Sequence, residues 1–282
     1  MGLAPAVLWA NKVSSYSPML QSLHALALAV FSIGIAQAQT AAPAAPAPVT
    51  VADLSARAGI SWSAKNVARG KERSSKEGLL QSQVTLEYSL PSFQGASIYG
   101  SAYSADAFER AYTIGARTDS SVGTFDIGYQ HSTATAGAIS SIDGVYADNK
   151  GYTLIDSDKE FYLGLVANKD VTLRPSLYVY YSSELKQTNV VVSGRKDFVG
   201  GEIGIPGFDL STKIYAGSIN SSTTKYDTSN AYLYAGLSID VTRNIGAGAI
   251  IGVGANYAYN SDGQDLTSGG ATWFRGFANF RF

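Results

Sequence analysis

The sequence has no cysteine and only two histidines, and beyond residue 38 His131 is the one that remains. Without cysteine no disulfide can staple the fold, so stability must come from a core or from a membrane. A soft-metal site has no thiolate to draw on, and one built from imidazoles needs more than a single ring. No block of Lys or Arg stands out in a chain of net charge -1. That removes the concentrated basic surface a nucleic acid requires. Past residue 38 there is no apolar run of the ~18 residues a spanning helix needs. What is plentiful is 29 Gly, 18 Tyr and 11 Phe, a balance of turn formers and aromatics that favours strands over helices. With 45% apolar and 15% charged residues, the chain is neither disordered nor strongly solvated. Nothing in it calls for a cofactor.

The N-terminus reads as an address. From Ala25 to Ile35 the chain is apolar but too short to span a bilayer, and Ala36-Gln37-Ala38 follows as a small-x-small cleavage site. Residues 1–38 are expected to be a secretory signal peptide, with Lys12 the sole Lys or Arg before the apolar run and Met19 an alternative start. Residues 39–53, rich in Ala and Pro, are expected to be a periplasmic linker.

The remainder, 54–282, alternates. Leu54, Ala56, Ala58, Ile60 and Trp62 interleave with Ser55, Arg57, Gly59, Ser61 and Ser63. Leu80, Val84, Leu86 and Tyr88 oppose Gln81, Gln83, Thr85 and Glu87, and the pattern returns around Phe125-Asp126-Ile127 and Phe208-Asp209-Leu210. One apolar and one polar face per strand is what a transmembrane barrel demands, with lipid outside and a polar lumen inside. Weaker segments at 95–104, 109–118, 159–168, 173–184, 188–198, 230–240, 245–259 and 272–282 bring the count to twelve. Of these, 95–104 and 188–198 fit either facing. The fold class is therefore all-β, a transmembrane antiparallel up-and-down barrel of about twelve strands in the Gram-negative outer membrane. Links at 91–94, 118–121, 168–172, 199–207 and 241–244 are mostly tight; of the other six, those at 69–79, 132–158, 219–229 and 260–271 are long and polar, and those at 105–108 and 185–187 are short. Short periplasmic turns and long external loops follow from that asymmetry. Tyr88, Tyr129, Tyr181, Phe198 and Tyr259 near strand ends suit interfacial girdles.

The last strand sets Phe274, Ala278, Phe280 and Phe282 against Arg275, Asn279 and Arg281, with Trp273 and Phe277 breaking the pattern. Its terminal Phe282, with Phe280 two places before it and Gly276 upstream, resembles the β-signal read by the outer-membrane assembly machinery. The opening strand and loop, Ser63 to Gly70, resemble the start of the TorF-type family of small porins through Val67, Arg69 and Gly70. Glu160-Phe161-Tyr162-Leu163-Gly164 and Pro175 to Tyr181 are similar to that group's paired mid-chain strands. The resemblance implies an outer-membrane barrel and a pore.

Catalysis has little to work with. Gln130-His131-Ser132 lacks the His-x-Ser order of outer-membrane phospholipases, and no catalytic residue is assigned. Asp143, Asp148, Asp156 and Asp158 crowd one loop, which reads as solvated carboxylates before it reads as a cation site. The inward charges are the informative set: Arg57, Glu87, Arg117, Asp126, Glu160, Arg195, Lys213 and Arg275 as candidate pore lining, with Asp209 and Arg281 beside them and Tyr178, Tyr180, Tyr232 and Tyr234 narrowing the lumen. The expected function is passive diffusion of small polar solutes or ions, with outer-membrane lipid and the assembly machinery as partners and the oligomeric state open. The alternative is a closed barrel that binds a partner through its external loops.

Overall fold

The computed structural model describes residues 53–65, 67–69, 71–72, 78–93, 95–105, 109–134, 157–221, 231–261 and 270–282. The expected signal peptide, most of the linker, and Asp143, Asp148 and Asp156 lie outside the described residues. Among the described residues the strands run, in order, β1 Leu54–Ser63, β2 Val67–Ala68, β3 Lys71–Glu72, β4 Leu79–Ser89, β5 Ala96–Ala105, β6 Glu109–Asp119 and β7 Gly123–Ala134. They continue as β8 Ser157–Ala167, β9 Ser176–Ser182, β10 Gln187–Phe198, β11 Asp209–Ser221, β12 Ala231–Gly246, β13 Ala249–Asn260 and β14 Ala271–Arg281. Twelve of them form one closed antiparallel barrel in which each pairs with its neighbours in sequence, β4 following β1, and β14 returns to pair with β1. β2 and β3 form a separate two-stranded hairpin in the link between β1 and β4.

Register fixes which side chains share a face, because a slip of one residue would turn every side chain over. Starting from Arg57 opposite Thr85 and following the pairs round the barrel, the inner face takes the odd residues of β1, β4, β5, β6, β10, β11 and β14 and, from Arg117 opposite Asp126, the even residues of β7. This corrects nothing in β1 but settles β5 and β10, whose facing the sequence leaves open: Tyr99 points in and Ile98 out, Asn189 in and Val192 out. In β9, only 7 residues long, the even residues Tyr178, Tyr180 and Ser182 face in, opposite Gly164, Tyr162 and Glu160 of β8. The even residues also face in on β8, β12 and β13. The outer face is apolar, with Ile60, Trp62, Leu86, Ile114, Ile127, Phe161, Leu233, Val253 and Phe274 all exposed. A barrel in water would bury these and expose its charges; here the polarity is inverted, as hydrocarbon requires.

Among the boundaries that differ from the sequence reading, two are set by turns. The segment 241–244, read as a turn, stays in β12, because Val241 and Thr242 are β-branched and their pairing with Val253 and Gly252 continues. The turn falls instead at Ala247 and Gly248, both at positive φ (48° and 74°), between the paired Gly246 and Ala249. β9 begins three residues late, since Leu173 and Arg174 also take positive φ (62° and 33°) and Pro175 has no N–H to give a ladder.

Glycines on the inner face receive aromatic rings from the next strand. Gly115 and Gly128 face each other across β6 and β7, with the Tyr99 ring over the first and the Tyr162 ring over the second. A Cβ at Gly128 would meet the Tyr162 hydroxyl and stand 2.8 Å from the Ile114 carbonyl oxygen. Gly128→Val is accordingly expected to cost about 1–3 kcal/mol through overpacking, read as a lowered temperature for the folded-to-unfolded band shift on a denaturing gel.

Candidate functional site

Three groups of side chains occupy the inner face. The first is a ladder near the end where the short turns lie. Arg57 Nη2 reaches Glu87 Oε2 at 3.5 Å, Arg117 Nη1 reaches the same oxygen at 3.6 Å, and Arg117 Nε donates to Asp126 Oδ2 at 3.4 Å. The residues stand on β1, β4, β6 and β7, so two cations and two carboxylates alternate over a third of the wall. Asp126 is buried and would be costly alone. Tyr99 Oη donates to its Oδ1 at 2.7 Å and Tyr178 Oη to its Oδ2 at 3.2 Å, while the Arg117 guanidinium lies 4.1 Å from the Tyr99 ring centre. Tyr162 meets Tyr99 hydroxyl to hydroxyl, which links this ladder to the tyrosines above it.

The second group closes the opposite end, where the long links lie. The hairpin of β2 and β3 turns at Arg69, a non-glycine residue at φ 51°. Its guanidinium is clasped by the carboxylate of Glu160 on β8, donates to Gln187 Oε1 on β10 at 3.3 Å, and lies 5.8 Å from the ring centre of Tyr180 on β9. Those strands stand across the barrel from β1, so the side chain bridges the mouth. Both partners are well covered, with side-chain exposures of 16% for Arg69 and 9% for Glu160. Beside them Ser182 Oγ donates to Asp158 Oδ1 at 2.6 Å and Tyr234 Oη donates to Asn189 Oδ1 at 2.8 Å. A layer of tyrosines underlies the clasp: Tyr178 and Tyr180 stack at 5.8 Å, and Tyr232, Tyr234 and Ile219 form a small buried cluster.

The third group lies on β10, β11, β12 and β14. Arg275 holds Asp240 through two hydrogen bonds, Nε to Oδ1 at 3.1 Å and Nη2 to Oδ2 at 2.6 Å. Arg195 Nε donates to Asp197 Oδ1 at 2.8 Å, and Lys213 sits directly opposite Arg195 in register. Trp273 and Phe277, which break the alternation of the last strand, point inward with Arg275; the Phe277 ring covers Gly252, and the Arg275 guanidinium lies 5.1 Å from that ring.

All eight sequence-selected charges thus lie on the inner register, in two separate sets plus Glu160 at the mouth. Arg69 was not among them: it stands in a loop, and a sequence separation of 91 from Glu160 leaves no local signal. His131 falls on the outer register beside Tyr129 and Thr133, away from every inner polar group. Asp158, the one described member of the acidic loop cluster, is tied to Ser182.

No protein-family model and no curated protein sequence matches the chain. Among solved structures it is similar to the KdgM porin, with a TM-score of 0.46 and 9% identity over 81% of this chain and 99% of that one. It is also similar to Pseudomonas aeruginosa OprD, with a TM-score of 0.39 and 10% identity over 82% of this chain and 66% of that one, and to Pseudomonas aeruginosa OpdL, with a TM-score of 0.39 and 13% identity over 82% and 68%.

Proposed function

We propose that this chain is an outer-membrane porin, a non-catalytic passive path for small polar solutes or ions, narrowed at its outer mouth by the Arg69 clasp. The observation that carries the reading is the inverted polarity of a closed barrel: exposed apolar residues all round the outside, paired charges of both signs within. Such an arrangement is stable only with lipid outside and water or polar solute inside. Twelve strands stand between the filled eight-stranded barrel and the open channel of sixteen. Arg57, Glu87, Arg117, Asp126, Glu160, Arg195, Lys213 and Arg275 are then the lining that solutes meet. Residues 1–38 would direct export and be cleaved, 39–53 would stand in the periplasm, and Phe280 and Phe282 would be read by the assembly machinery. Membership of the TorF type rests on Val67, Arg69 and Gly70, and the clasp gives that arginine a physical role.

The test is single-channel recording in a planar bilayer with KCl, using protein purified from membranes. Discrete, reproducible steps are expected. Silence from an inserted, heat-modifiable barrel would favour the second reading, a closed barrel acting through its external loops, which the bridged mouth and the tyrosine layer also support.

A further inference from the structure

Lys213 is out of balance with its surroundings. It faces Arg195 directly across β10 and β11, an apposition of like charges that ordinarily destabilises a strand pair. Arg195 is neutralised by Asp197, and Arg275, whose charge also acts on Lys213, is held by both oxygens of Asp240. Among the described residues no carboxylate comes within ion-pair distance of Lys213 itself. Its side chain is exposed on the inner face, and Ser238 stands next to it on β12 as a hydroxyl donor. A cation left without a counter-charge on the inner wall is an anion site in waiting.

We propose that Lys213, flanked by Arg195 and Arg275, is a docking point on the barrel wall for the carboxylate of small organic anions. The ammonium supplies the charge and Ser238 a hydrogen bond, while the two arginines, already engaged by Asp197 and Asp240, leave Lys213 as the uncompensated charge of the group. This deepens the porin reading and rests on it for the polar interior, but not on whether the lumen conducts.

The experiment is isothermal titration calorimetry of succinate into the protein purified from membranes in detergent, at low salt, with the folded state verified by heat-modifiable migration. Wild type is expected to bind, Lys213→Gln to weaken binding about tenfold or more, Lys213→Arg to keep most of it, and Lys169→Gln, in an exposed turn, to leave it unchanged. Wild-type and Lys213→Gln proteins binding alike, no binding to folded wild type, or an equal loss in Lys169→Gln would each overturn the proposal. Channel silence would remove the pore reading and leave this result standing; open channels with no Lys213 dependence would remove the docking point alone.

Discussion

Arg69→Ala is expected to raise single-channel conductance severalfold and to shift ion preference toward cations. The guanidinium crosses the mouth from the β1 side to β8, β9 and β10, and without it the hairpin of β2 and β3 loses its contacts with Glu160, Gln187 and the Tyr180 face. Glu160 and Asp158, both buried and on the same face of β8, would then lack the cation nearest to them. Breaking a covered pair by removing one partner costs about 3–5 kcal/mol locally, so the wall must relax to hydrate the carboxylates, and water entering the mouth is the same event as opening it. Glu160→Gln should open the mouth as well, without the gain in cation preference that Arg69→Ala brings. Recordings that find Arg69→Ala indistinguishable from wild type would mean that current does not pass the clasp.

Deleting Phe282 is expected to cut the assembled, heat-modifiable fraction in the outer membrane by about an order of magnitude. The Phe282 N–H donates to the Ala56 carbonyl at 2.9 Å, and the Ala56 N–H donates to the Phe282 carbonyl at 3.2 Å, one rung of the seam that closes the barrel. Two such bonds contribute about 0.5–1.5 kcal/mol each. The ring, 77% exposed on the outer side, adds an aromatic contact that only lipid or the assembly machinery can satisfy. Phe282→Ala separates the contributions, since it keeps both backbone bonds and removes the ring. Assembly lost in Phe282→Ala would assign the effect to the aromatic signal, and assembly lost only in the deletion would assign it to the seam. Normal assembly in both would refute the role proposed for the C-terminal residue.

Periodicity carried the fold a long way, for a reason particular to this class. A strand between lipid and a polar interior must alternate, so Leu54 to Trp62 and Leu80 to Tyr88 declare their faces without reference to any partner. Where both faces hold small residues the declaration fails: Ser97, Gly100, Ser101 and Ala102 in β5, or three consecutive valines in β10, fit either way until register with β6 or β9 decides. The turn near 247 was missed because a polar run, Thr242-Arg243-Asn244, outweighed the glycines that actually supply positive φ. Inward charges were legible because they obey the same parity. Their partners were not, since Arg117 to Asp126 is a register contact but Arg69 to Glu160 crosses the barrel. The aromatic-over-glycine pairs had a visible signal in inward tyrosines beside strand glycines, as at Tyr162 and Gly128, which alternation alone does not weigh.

The topology also sets an order of events in time. Eleven of the barrel's pairings join strands that follow one another round the wall, while the seam between β1 and β14 joins Arg57 to Arg281. Loop closure over that span costs about 2–3 kcal/mol more than closing a hairpin of ten residues, and none of it is recovered until the first rungs of the seam form. Ring closure is therefore the slow, late step, and it follows the growth of an open, twisted sheet. During that interval the molecule carries two unpaired edges at once, the state in which it is most exposed to pairing with another copy of itself.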